Sequence, residues 1–170
     1  MSEKGDKGMT EGECLLIVNK DSPFIETVGI IDEFQSRLGL VRICLKEKKE
    51  NEKIYKIEKD LYEIMGVLYT GQNWQKGDKR IKELKNESEN YKKKIKEKSI
   101  DLKFFLIPGE NEIEARLNNC RTGCRTVERR IKTLQLNRKE KKGLEIDKNI
   151  LRYFNTLSDF LNWIWRFKFQ

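Results

Sequence analysis

"NNCRTGCRTVERRI" runs from Asn118 to Ile131 and places Cys120, Cys124, Val127 and Ile131 at steps of four, three and four. Ile113 and Leu117 extend the row backward, and Leu134 extends it forward. At about 100° per residue these positions stack into one apolar seam, so the stretch predicts a long amphipathic helix. Four other rows share the spacing. The first is Phe24, Val28, Ile31, Phe34, Leu38, Val41 and Leu45, opened by Asp21-Ser22-Pro23. Ser22 suits an N-cap there, with Pro23 in the first turn. The second is Ile54, Ile57, Leu61, Ile64 and Leu68; the third is Ile81, Leu84, Ser88, Tyr91 and Ile95. The last is Ile150, Phe154, Leu157, Leu161 and Ile164, widened by Tyr153, Phe160 and Phe167. Such sustained rows predict an all-α fold: a five-helix bundle forming a single domain over 1–170, with a flexible N-terminal loop segment over 1–22.

The breaks support this division. "EKKENE" (47–52) reads as a charged turn, and "TGQNWQKGD" (70–78) contains two glycines. "NRKEKKGLEID" (137–147) combines a basic helix end with a glycine stop. "IDLKFFLIPGENE" (100–112) is an apolar burst ending at Pro108-Gly109. Pro108 disfavours helix at Ile107, and a connection this apolar calls for a covering surface.

Composition narrows the chemistry. Lys and Arg total 36 against 28 Asp and Glu, a net charge of +8, which suits anionic partners. The chain has no histidine. That excludes histidine general acid–base catalysis, histidine-ligated zinc and Ser–His–Asp triads. Cys14, Cys44, Cys120 and Cys124 form no CxxC pair and read as reduced core or near-core residues of a cytosolic protein. Without a membrane-length apolar run or a leader segment, the expectation is a soluble, cytoplasmic protein.

Arg121, Arg125 and Arg129 recur every fourth residue beside the seam, with Glu128 among them. Pairing of Arg125 with Glu128 accounts for part of this ladder, but Arg125 and Arg129 repel each other. A local group of guanidiniums suits an anion such as phosphate. "KGDKGMT" (4–10) has glycines on both sides of Asp6 and Lys7, so its backbone N–H groups can curve around an anion; it is not a Walker A loop. Asn155, Asp159, Asn162 and Arg166 make a stripe of mostly short polar side chains on the last helix, which suggests a lined, partly buried site. Asp32 adjoins core residue Ile31, so a near-buried carboxylate paired with an arginine such as Arg121 is expected. Lys92-Lys93-Lys94 reads as a solvated face, and Trp163 and Trp165 read as core.

Taken together, "GDKGMT" (5–10), "KD" (20–21), "IDEFQSRLG" (31–39), "FLIPG" (105–109), "CRTGCRTVERR" (120–130) and "YFNTLSDFLNWIWR" (153–166) resemble the PduO-type ATP:cob(I)alamin adenosyltransferases in order and spacing. The resemblance spans nearly the whole chain. It implies a homotrimeric five-helix bundle with active sites between subunits. Gly5, Asp6, Lys7, Gly8 and Thr10 match the loop that wraps the ATP phosphates, and Lys20 matches a second phosphate lysine. Arg125, Glu128 and Arg130 match the residues holding the nucleotide and its Mg²⁺, with Glu128 the metal ligand, and Asn155 matches a nucleotide asparagine. Arg121 and Asp32 match an arginine–aspartate pair bridging neighbouring subunits. Phe105 matches the phenylalanine closing the lower face of the corrin ring.

The implied substrates are ATP and cob(II)/cob(I)alamin. The implied partners are a flavoprotein reductase and a cobalamin-dependent mutase, with no nucleic acid and no membrane. The chain departs from the family pattern at Lys4, Glu110, Asn118, Thr126 and Thr156. Thr126 and Thr156 each stand where the family has arginine, so altered ATP affinity is expected. Two other readings compete: a basic helical nucleic-acid-binding protein, and a non-catalytic corrinoid carrier.

Overall fold

In a computed structural model, residues 3–99, 106–140 and 144–168 are described. The chain opens with a single helical turn, α1 (Glu3–Asp6), and a small antiparallel hairpin of β1 (Met9–Glu11) and β2 (Ile17–Asn19). Met9 faces Asn19, Thr10 faces Val18 and Glu11 faces Ile17. A 3-10 turn, Glu13–Leu15, closes the hairpin. Five long helices follow: α2 (Pro23–Cys44), α3 (Lys48–Thr70), α4 (Gly77–Glu97), α5 (Glu112–Glu140) and α6 (Lys148–Lys168).

The predicted rows become these five helices, and each start or stop has a local cause. Ser22 caps α2, accepting from the Ile25 N–H, and Pro23 occupies the first turn. Gly71 ends α3 in the left-handed region at φ 69°, donating to the Val67 carbonyl. A Cβ at Gly71 would also lie 2.5 Å from the tip of the exposed Leu144 side chain, which can move aside, so it is the turn that requires glycine. Asn111 Oδ1 accepts the Glu114 N–H at 2.9 Å at the start of α5. Asp147 accepts the Asn149 N–H at the start of α6 and the Trp74 N–H from the α3–α4 connection, tying two loops together. The turn expected over 47–52 is shorter than predicted. The segment contains no breaker, so α3 reaches back to Lys48, and Glu50 is buried against Tyr91 and Lys168.

α5 packs along α2 and α6; α4 packs on α6, and α3 on α2. Ile31, Leu38, Leu117, Cys120, Cys124, Val127, Ile150, Phe154 and Leu161 are fully buried in the shared core. Each large apolar side chain buried here contributes about 1.5–3 kcal/mol. Val28, Ile113 and Phe167 are only half-buried at its edge. One polar network crosses the core. Arg80 forks onto Asp60 with Nε 2.8 Å from both carboxylate oxygens, and the Tyr153 hydroxyl donates to Asp60 Oδ2 at 2.7 Å. It joins α3, α4 and α6 with its charges paired. Among the described residues, no helix is long and apolar enough to cross a membrane.

Candidate functional site

The N-terminal segment, expected to lack regular structure, folds around its own glycines. Gly8 takes φ +73°, open to glycine at little cost, and its N–H donates to the Gly5 carbonyl at 3.3 Å. The Lys20 N–H donates to the Gly8 carbonyl at 2.9 Å, and Lys20 Nζ donates to the Gly5 carbonyl at 2.7 Å. Gly5, Gly8 and Lys20, from two sequence motifs, therefore form one loop. Asp6 and Lys7 are exposed at its turn, and Thr10 is half-buried in β1. Lys20 also lines a groove of about 400 Å³ between α2 and α5, with Glu26, Gly29, Glu33, Arg37 and Thr126.

The arginines of α5 divide between two faces. Arg130 turns toward α2 and pairs with Glu26 at 3.4 Å. Arg125 lies about 140° around an ideal helix from Arg130. Arg121 and Arg125 lie only about 40° apart. Arg121 is half-buried; its Nε and Nη2 donate to Asn118 Oδ1 at 3.1 and 2.8 Å, and its guanidinium sits 5.1 Å from the Trp165 ring. Burial holds the Arg121 pKa below its ordinary value, and repulsion from Arg125 and Arg166 adds to the effect. Among the described residues, neither Arg121 nor Arg125 forms a salt bridge. Arg166 Nη1 is buried without a hydrogen-bond partner there.

This is an uncompensated cationic cluster beside α6, and an anion is its natural complement. Arg125 is exposed and Glu128 half-buried, with no ion pair between them among the described residues, so simple self-pairing of the ladder is not what the structure contains. Arg129 instead donates to Thr126 Oγ1 at 3.0 Å.

Asp32 is exposed and does not meet Arg121 within the chain, contrary to a near-buried intrachain pair. One residue of helix rotates it about 100° from Ile31, out of the core. The polar stripe on α6 is split: Asn155 and Asp159 are exposed, whereas Asn162 and Arg166 are half-buried. Asn155 and Asp159 line a groove of about 670 Å³ between α4 and α6, with Thr156, Lys92, Arg152 and Trp163. Trp165 is core as expected; Trp163 is half-buried at this groove, under the Lys92 ammonium at 5.1 Å. Phe105 lies outside the described residues.

Asn118, which orients Arg121, stood out in the sequence only as a departure from the family pattern. Its i,i+3 spacing to Arg121 is the signal that reveals the role.

Cys14, expected in or near the core, is exposed in the 3-10 turn of the hairpin, and Cys44 is half-buried; the cysteines of the seam, Cys120 and Cys124, are buried and inert. Burial pushes the Cys120 thiol up to about 12 and raises Cys124 well above its ordinary value, while the Cys124 thiol donates to the Phe154 carbonyl at 3.4 Å. Among the described residues, no three His, Cys, Asp or Glu side chains gather as a metal site.

The family model for cobalamin adenosyltransferase matches residues 1–168. The chain belongs to the cobalamin adenosyltransferase family. The corrinoid adenosyltransferase of Bacillus subtilis is 28% identical over 165 residues, covering 93% of this chain and 78% of the relative. That of Bos taurus is 28% identical over 171 residues, covering 94% of this chain and 67% of the relative. A solved arginine-to-lysine variant of the PduO-type ATP:co(I)rrinoid adenosyltransferase from Lactobacillus reuteri, complexed with ATP, superposes with TM-score 0.83 at 23% identity. It covers 98% of this chain and 91% of that one. A phenylalanine-to-alanine variant of that enzyme, complexed with cobalamin and ATP, superposes with TM-score 0.77 at 21% identity, with the same coverage. These likenesses show that this adenosyltransferase family member has the five-helix fold predicted from its apolar rows.

Proposed function

We propose that the protein is a corrinoid adenosyltransferase: it moves the 5′-deoxyadenosyl group of ATP to cobalt(I) of a cobalamin substrate and releases triphosphate. The observation that carries this reading is Arg125, an exposed arginine without a salt bridge among the described residues and facing the like charge of Arg121, in a chain of this family. In the reaction cobalt(I) supplies the electron pair of the new cobalt–carbon bond, and the bond between C5′ and the phosphate oxygen breaks. The protein needs no general base, which suits a chain without histidine. Its work is to hold two substrates in line and to stabilise charge on the leaving triphosphate.

Gly5, Asp6, Lys7, Gly8, Thr10 and Lys20 wrap the phosphates in this reading; Arg125, Arg130 and Asn155 bind the nucleotide. Mg²⁺, bound with the nucleotide, would be held on the protein side by the half-buried carboxylate of Glu128 and would neutralise charge on the triphosphate. Phe105 excludes a lower ligand and water from the cobalt, which eases reduction of cob(II)alamin.

The Gly5–Lys20 loop lies on the α2 side of α5, whereas Arg125 turns away from Arg130 on that helix. A site using both draws them most simply from two copies of the chain. This supports a homotrimer with sites between subunits, in which Asp32 of one copy meets Arg121 of the next. The chain acts as one domain in the cytoplasm, supplied by a flavoprotein reductase and serving a cobalamin-dependent mutase.

The leaving group tests the reading. Phosphorus NMR of a turnover mixture should show one tripolyphosphate per corrinoid converted. Pyrophosphate or orthophosphate as the primary product overturns it.

A further inference from the structure

Arg138 stands far along α5 from the cationic cluster, yet its side chain is only 5% exposed. It forms an ion pair with Glu13 in the 3-10 turn at the hairpin tip. The same Nη2 donates to the Leu68 carbonyl near the end of α3 at 3.0 Å, and the guanidinium sits 5.7 Å from the Phe24 ring in the first turn of α2. One side chain thus gathers the hairpin, α2, α3 and α5. The base of the hairpin holds the phosphate loop, because Gly8 and Lys20 are hydrogen-bonded directly beyond the Met9–Asn19 pair. Covalent continuity into α2 fixes that base on one side, and Arg138 fixes the opposite end. The tip needs such a hold: Cys14 and Leu15 take φ values of 53° and 61°, and Leu15 and Leu16 are 79% and 61% exposed. A three-residue two-stranded hairpin is not stable on its own.

We infer that Arg138 is a positioning residue for the nucleotide: through Glu13 it anchors the hairpin tip and so pre-organises the Gly5–Gly8 loop and Lys20 for the ATP phosphates. The inference rests on the proposed function for the identity of the nucleotide, while the anchoring itself does not. Pre-organisation lowers the cost of ordering a loop on binding, so its loss appears in ATP affinity and leaves the chemical step alone.

Hydrogen–deuterium exchange and steady-state kinetics on the full-length protein test it. Because Arg138 is itself buried, Arg138→Met also loosens the bundle; Glu13→Gln breaks the tie from the hairpin side and leaves the helices intact. Both variants should exchange at least about tenfold faster over residues 9–19 and raise KM for ATP about five- to tenfold, with kcat and the corrinoid KM unchanged. Arg138→Lys, which keeps the charge facing Glu13, should recover most of the ATP affinity. Unchanged exchange over 9–19 in Glu13→Gln overturns the inference, as does faster exchange with unchanged ATP affinity. If the unmodified protein transfers no adenosyl group, the proposed function falls, and ATP binding by calorimetry replaces KM in judging Arg138.

Discussion

Lys20 Nζ lies 2.7 Å from the carbonyl oxygen of Gly5, closing the glycine loop onto the residue that leads into α2. Within the chain the ammonium satisfies a backbone acceptor; in the proposed site the triphosphate is a stronger, charged one. Lys20→Ala should raise KM for ATP by about tenfold or more and leave the melting temperature nearly unchanged, because Lys20 is exposed. Unaltered ATP affinity in that variant removes Lys20 from the site.

Arg121 carries a half-buried charge without a carboxylate partner among the described residues, and Asp32 is exposed. In the proposed assembly a bridge between copies satisfies both. Asp32→Arg should therefore shift the proposed trimer toward monomer in light scattering, and the swap Asp32→Arg with Arg121→Asp should restore it. A trimer that survives the single change contradicts the bridge.

Phe105 and Arg125 should fail in different ways. Phe105→Ala should slow adenosylation strongly while ATP binding, measured by calorimetry, stays nearly intact. Arg125→Ala should abolish turnover through lost stabilisation of the triphosphate; removing a preorganised charge of this kind costs about a hundredfold or more in kcat. Normal turnover in either variant withdraws the role assigned to that residue.

How much of this was visible beforehand follows the length of each pattern. The seam through Leu117, Cys120, Cys124, Val127 and Ile131 is fully buried, because a long row at helical spacing leaves only one face for the core. The hairpin was not legible. Strands of three residues offer too few positions for a period of two, and its tip is held by Arg138, 125 residues away. Asp32 was misplaced for a related reason: adjacency to Ile31 in sequence is a large rotation on a helix. That carboxylates within the ladder would not neutralise it was legible from the repulsion between Arg125 and Arg129, but the turn of Arg130 toward Glu26 depends on the packing of α2 against α5.

The Asp60 network makes a prediction about stability. Tyr153→Phe removes one buried donor while Arg80 still pairs with Asp60, and should cost about 1–2 kcal/mol in urea denaturation. Asp60→Ala leaves the Arg80 guanidinium, 11% exposed, with Glu83 alone as a carboxylate partner and takes the acceptor from the buried Tyr153 hydroxyl, and should cost about 3–5 kcal/mol. Equal losses would mean that the carboxylate contributes no more than the hydroxyl.

The most direct measurement is an anaerobic incubation of the protein with ATP, Mg²⁺ and chemically reduced cobalamin, followed by visible spectroscopy. The expected result is loss of the cob(I)alamin spectrum and growth of that of adenosylcobalamin, at a rate that depends on protein concentration and falls in Arg125→Ala. A cob(I)alamin spectrum that persists in the presence of protein and ATP would contradict the assignment.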